Sequence, residues 1–135
     1  MTPENVTAAG WSVEQFAQFW SAPDPDLVKY AVTDDVVGDW PGDPAPVRGV
    51  DAYTDRIRQV LDRVPDIRLE VAEHATNGEF VFIRWIGRGT GAKGPFELSG
   101  IDRIRMRDGL VAENIIRYDP RLFDELAGPR TPRWP

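Results

Sequence analysis

Apolar residues recur at helical spacing through the first half of the chain and alternate with polar ones through most of the second. Val13, Phe16, Phe19 and Trp20 form one stripe, and Ser12 with Gln15 matches the capping box that satisfies exposed backbone donors at a helix start. Asp24-Pro25 opens a second, short helix with Leu27, Val28 and Ala31 facing inward. Asp35 to Trp40 reads as a strand stopped by Pro41, and the proline-rich run 41–46 cannot donate to a ladder and is a loop. Val50, Tyr53, Ile57, Val60, Leu61 and Val64 then mark the longest helix, ended by Pro65. After it the period changes to two.

Ile67, Leu69 and Val71 alternate with charged residues, Asn77-Gly78 marks a hairpin, and Phe80 to Ile86 is the returning strand. Its register is open: a three-residue loop pairs Glu70 with Arg84, and a two-residue turn pairs Leu69 with Ile86. The glycine-rich run 87–94 reads as a flexible connection, because it lacks the lysine and hydroxyl of a phosphate-binding loop. A second hairpin spans Pro95 to Asp119. Phe96, Leu98, Gly100, Asp102, Ile104 and Met106 share one face, so a carboxylate falls in an apolar row. A three-residue loop at Arg107-Asp108-Gly109 sets Arg103 opposite Glu113, Asp102 opposite Asn114 and Ile101 opposite Ile115. In that register Leu110, Ala112, Ile116 and Tyr118 extend the apolar face, and Val111 lies with Ile101 and Ile115 on the other. Asp119-Pro120 starts a last helix, with Leu122, Phe123 and Leu126 on its apolar side and Gly128 ending it.

The expected organisation is a flexible segment 1–11, one domain over 12–127 and a tail over 128–135. A chain of 135 residues can bury a core without metal or disulfide support, and it has no cysteine. A net charge of -6 with scattered acidic residues argues against nucleic acid and anionic membrane as partners. No stretch has the length of a membrane span, and the first residues lack the plan of a signal peptide, so a cytoplasmic protein is expected. No ligand cluster points to a metal or cofactor, and His74, the single histidine, is expected at the surface.

The helix 13–20, the segment 33–40 running on to Arg48-Gly49, and Gly100 to Met106 with the Arg-Asp-Gly turn resemble the NTF2-like superfamily in its SnoaL-like and ketosteroid-isomerase-like branch. The resemblance implies an α+β cone: a strongly curved mixed or antiparallel sheet wrapped around three N-terminal helices, with a short C-terminal helix and a pocket at one end. It also implies a homodimer through the convex face of the sheet.

Asp39 matches the general-base aspartate of the isomerases and Asp102 the protonated aspartate that bonds the substrate oxyanion. Where those enzymes carry a tyrosine on the first helix, this chain has Phe16. Tyr30, Tyr53 or Tyr118 could supply a hydroxyl instead, Trp40 and Trp85 could line the pocket, Asn114 could orient Asp102, and Arg84 could pair with Glu70 or reach the pocket. The leading expectation is a cofactor-independent enzyme acting on a small, largely apolar, oxygenated molecule by isomerase- or cyclase-type proton transfer, with Asp39 as base and Asp102 as acid. The alternatives are a hydrolase resembling limonene epoxide hydrolase, with Asp39, Arg84 and Asp102 activating water, and a non-catalytic binding or dimerisation module.

Overall fold

The computed structural model describes residues 10–129; the expected flexibility of most of the segment 1–11 and the tail beyond 129 lie outside them. Helix α1 (Val13–Ser21) starts where Ser12 Oγ accepts from the Gln15 amide at 3.2 Å. Pro25–Tyr30, capped by Asp24, is a 3-10 turn and not an α-helix. Strand β1 (Val32–Asp39) follows, then a two-residue strand β2 (Val47–Arg48) just after the expected loop, and helix α2 (Val50–Arg63). Four long strands complete the sheet: β3 (Arg68–Asn77), β4 (Phe80–Gly91), β5 (Gly94–Arg107) and β6 (Leu110–Arg117). Helix α3 (Pro120–Ala127) closes the described chain, with Asp119 accepting from the Arg121 and Leu122 amides.

The sheet order is β2-β1-β6-β5-β4-β3, antiparallel except for the parallel pair β1 and β6. The expected α+β fold with a curved mixed sheet is therefore present. Bulges in β3 beside Val71 and in β6 opposite Met106 bend the ladders. Helix α1 packs on β3 and α2 on β1, so the concave face is lined by Val36, Ile83 and Ile104 from strands and closed by Val64 at the end of α2. Those four side chains are fully buried.

Three expectations about register change. The β5–β6 turn has two central residues, Asp108 and Gly109, both at positive φ (55° and 77°), as the primed hairpin turn demands. The bulge then shifts the ladder so that Asp102 pairs with Ile116 and Ile104 with Asn114. That is a two-residue displacement from the expected pairing, so Asn114, Ile115 and Ile116 keep their faces while Ala112 leaves the alternation. Val111, expected outside, is 3 % exposed and lines the interior.

In the first hairpin the turn has two residues, Gly78-Glu79, but neither of the two pairings considered is formed: with the bulge at Ala72, Leu69 lies opposite Gly87, Glu70 opposite Ile86 and Val71 opposite Trp85. Finally, the glycine-rich run is no loop: β4 and β5 pair through to Gly91 and Gly94. A Cβ on Gly91 would lie 1.8 Å from the Leu126 carbonyl oxygen, so glycine here lets α3 sit directly on the strand.

Candidate functional site

The helices and the concave face of the sheet enclose a cavity of about 450 Å³. Most of its wall is aromatic or aliphatic. Among the sequence-predicted residues, Phe16 from α1, Trp40 just after β1, Tyr53 from α2, Asp102 from β5, Asn114 from β6 and Tyr118 beyond β6 all line it. Trp85, Tyr30 and Phe123 are there too.

Asp102 is the cavity's one acidic group among the described residues. It is 5 % exposed, and its two oxygens accept from different neighbours: Oδ1 from the Trp85 indole at 2.9 Å and Oδ2 from the Asn114 amide at 3.0 Å. Asn114 Nδ2 also donates to the Tyr53 hydroxyl at 3.1 Å, which ties α2 to β6 and β5 through one polar string. Burial pushes the Asp102 pKa up from 3.8 to about 6, against the pull of the Asn114 and Trp85 hydrogen bonds. Burial likewise raises the Tyr53 hydroxyl, so it stays protonated at any ordinary pH. The Tyr118 hydroxyl is also raised by burial.

Trp85 owes its position to Gly100 opposite it, where a Cβ would lie 2.3 Å from the indole Cζ2. Edge-to-face aromatic contacts extend from both sides of the string: Trp40 against Tyr53 at 5.2 Å, and Trp85 against Tyr118 at 6.0 Å. Phe123 of α3 continues the second at 5.7 Å.

Two sequence-predicted residues are not brought to this cavity. Asp39 alternates out of phase with Val36 and Gly38, which are buried, and its carboxylate pairs with Arg117 at 3.3 Å. Arg84 lies on the outer face of β4, half-exposed, and pairs with Glu73 at 2.6 Å; Glu70 pairs with Arg88 instead. The expectation that Asp39 and Asp102 share one pocket is therefore not met, and neither is the Asp39, Arg84 and Asp102 set. His74 is exposed as expected. No cluster suited to a metal ion occurs among the described residues.

Residues that sequence reasoning did not select include Trp11, Gln15, Gln18 and Trp20 at the helical end of the cavity, and Phe123. Of these, Trp20 and Phe123 were legible as apolar-stripe positions, but a stripe does not say whether it faces packed core or open space.

A SnoaL-like domain model matches residues 13–114, most of the chain. The chain belongs to the SnoaL-like domain family. Solved structures agree on the fold. A protein with a ketosteroid isomerase-like fold from Catenulispora acidiphila, determined in complex with trimethylamine, matches with TM-score 0.76 and 16 % identity over 94 % of each chain. TerC co-crystallised with polyporic acid matches with TM-score 0.73 and 19 % identity, over 85 % of this chain and 96 % of that one. A candidate SnoaL-like polyketide cyclase from Jannaschia matches with TM-score 0.74 and 13 % identity, over 87 % and 92 %. No curated protein is significantly similar in sequence. No helix among the described residues is long and apolar enough to cross a membrane.

Proposed function

We propose that this SnoaL-like protein is a cofactor-independent enzyme that moves a proton on a small, largely apolar, oxygenated molecule held in the cavity, in an isomerisation or ring closure. The observation that carries this reading is the position of Asp102: a lone carboxyl in an aromatic wall, with its pKa pushed to about 6. A group that titrates near the working pH both takes and returns a proton readily. Trp85 and Asn114 fix both of its oxygens, and Asn114 in turn holds Tyr53, whose own proton is left to donate to a substrate oxygen. Asp102 is the proton-transfer group in this mechanism and Tyr53 the oxygen donor; Asp39, held by Arg117 away from the cavity, takes no part.

The hydrolytic alternative loses its support, because Arg84 and Asp39 are each bonded elsewhere. A purely binding role would use the same cavity without proton transfer. Deuterium uptake separates the two. Wild type incubated in heavy water with enolisable bicyclic ketones such as β-tetralone is expected to speed exchange at the carbon next to the carbonyl. Asp102→Asn is expected to lose that acceleration while Asp39→Asn keeps it. Absence of exchange by the wild type across the panel would remove proton transfer and leave binding. We further propose a homodimer through the outer face of β4–β6, supported by the exposure of Phe82 (41 %) and Ile101 (47 %) there.

A further inference from the structure

The charge balance of the cavity is one-sided. Among the described residues no lysine, arginine or histidine lines it, and the donors that reach Asp102, the Trp85 indole and the Asn114 amide, are both neutral. The titratable groups near Asp102 are the Tyr53 hydroxyl from α2 and, farther along the wall, Tyr118 and Tyr30. Arg56 of α2 stacks on the Trp40 ring at 5.1 Å, influences the Tyr118 hydroxyl and is neutralised by Asp43 at 2.8 Å; it is not part of the lining. On the sheet's outer face, Arg103 and Arg84 are paired with Glu113 and Glu73. Buried carboxylates in proteins ordinarily meet a cation or lose their charge. Here the rest of the wall is apolar, and aromatic rings flank the polar string on both sides: Trp40 with Tyr53, and Trp85 with Tyr118 and Phe123. Aromatic faces attract organic cations and give nothing to anions.

From this we infer that the cavity is selective for an organic cation, a quaternary or protonated amine on an apolar body, with Asp102 as its counter-ion and the aromatic wall as its cage. The inference rests on the cavity being the ligand site proposed above, and not on which proton Asp102 moves there. A cation in this position also acidifies the carbon–hydrogen bonds beside it. The two roles can therefore act on one ligand.

The test uses three probes of similar shape on the full chain: phenyltrimethylammonium, its neutral isostere tert-butylbenzene, and the anion 4-tert-butylbenzoate, measured by calorimetry and tryptophan quenching. Phenyltrimethylammonium has no titrating group, so any pH dependence of its binding is the protein's. Its affinity is expected to be greatest near pH 8 and to fall by up to ~10-fold per pH unit below about 6, where Asp102 takes up its proton. Binding of tert-butylbenzene is expected to be flat over the same range and that of the benzoate to be the weakest. Asp102→Asn is expected to flatten the ammonium profile; if that variant does not fold, the wild-type profile alone decides. Ammonium and isostere binding with equal affinity and equal pH dependence overturns the charge selectivity and leaves the cavity as a ligand site. Binding of none of the three overturns both.

Discussion

The Trp85 indole reaches Asp102 across the ladder without being its cross-strand partner: Trp85 pairs with Gly100 and Asp102 with Ile83, yet Nε1 and Oδ1 lie 2.9 Å apart. The diagonal is possible because Gly100 leaves room for the ring to lie over β5. It also explains how a carboxylate can be held in an apolar wall at all. Trp85→Phe keeps an aromatic ring, though a smaller one, and removes the donor, which leaves Asp102 with the Asn114 bond alone. The Asp102 pKa is expected to rise further, and stability at neutral pH to fall by about 1.5–3 kcal/mol, the usual worth of a hydrogen bond to a charged group. Carbon-13 NMR of the carboxyl reads the first and urea unfolding the second. An unchanged titration would mean that the indole bond does not hold the anion.

Gly100→Ala attacks the same diagonal from the other side. The new Cβ would sit 2.3 Å from Trp85 Cζ2 and 2.8 Å from the Arg117 carbonyl, so the ring must move. A loss of about 1–3 kcal/mol is expected, with a shift in tryptophan emission as the indole leaves its partner. Full stability with an unchanged emission maximum would count against the packing described for Trp85.

Much of this arrangement could be read from the chain, and the limits have physical causes. The apolar phase of β5 put Asp102 inside, and counting by two from Val36 through Gly38 to Trp40 would have put Asp39 outside. Adjacent strand residues cannot both face one pocket, so the family position of Asp39 was in conflict with the parity of its own strand. The bulge at Ala112 leaves no local signature, because it arises from tertiary curvature. Together with the two-residue turn it moved the β6 partners beyond it by two while keeping their faces, and so Asn114 reached Asp102 diagonally and not from directly opposite. The glycines of 87–91 looked like flexibility because what they make room for is distant in the chain: Val64 at Gly89, and at Gly91 the end of α3, more than thirty residues away.

The pH dependence of stability follows from Asp102 with a definite sign. Its folded pKa is about 6 against an ordinary 3.8, so the folded protein holds this proton more tightly than the unfolded chain. That contribution is full below about pH 4 and is lost as pH rises through about 6, the gap corresponding to on the order of 3 kcal/mol. Asp102→Asn has no such titration. The stability difference, wild type minus variant, is therefore expected to fall steadily between pH 4 and about 7 in urea unfolding. A difference that stays level would mean that Asp102 is not desolvated.

Helix α3 is fastened mainly by one side chain. Arg63 at the end of α2 donates to Asp124 at 3.0 Å and to the Gly128 carbonyl at 2.8 Å, and its guanidinium stacks on Phe123 at 5.4 Å. Phe123 is cavity wall, so loosening this clamp is expected to open the cavity. Arg63→Ala is expected to raise amide exchange over 120–127 by ~10-fold or more while leaving β4 and β5 protected. Ligand release should quicken in the same proportion as the opening. Unchanged exchange in α3 would show that its contacts with Gly91 on β4 suffice.

The outer face of the sheet carries Ile101 between Arg84 of β4 and Arg117 of β6, half-exposed in an otherwise charged row. In a two-fold interface through this face Ile101 would meet its own copy or a neighbouring Phe82, which is also exposed. Ile101→Lys would add a third cation between Arg84 and Arg117 and place like charges together at that axis, and a buried unpaired charge is costly. Sedimentation is expected to show a dimer for wild type and a dissociation constant raised at least ~100-fold for the variant, with the fold intact by circular dichroism. The cavity lies on the opposite side of the sheet, so ligand binding by the monomeric variant should persist. A wild type that sediments as a monomer at all concentrations would remove the dimer, and a variant that remains dimeric would move the interface elsewhere.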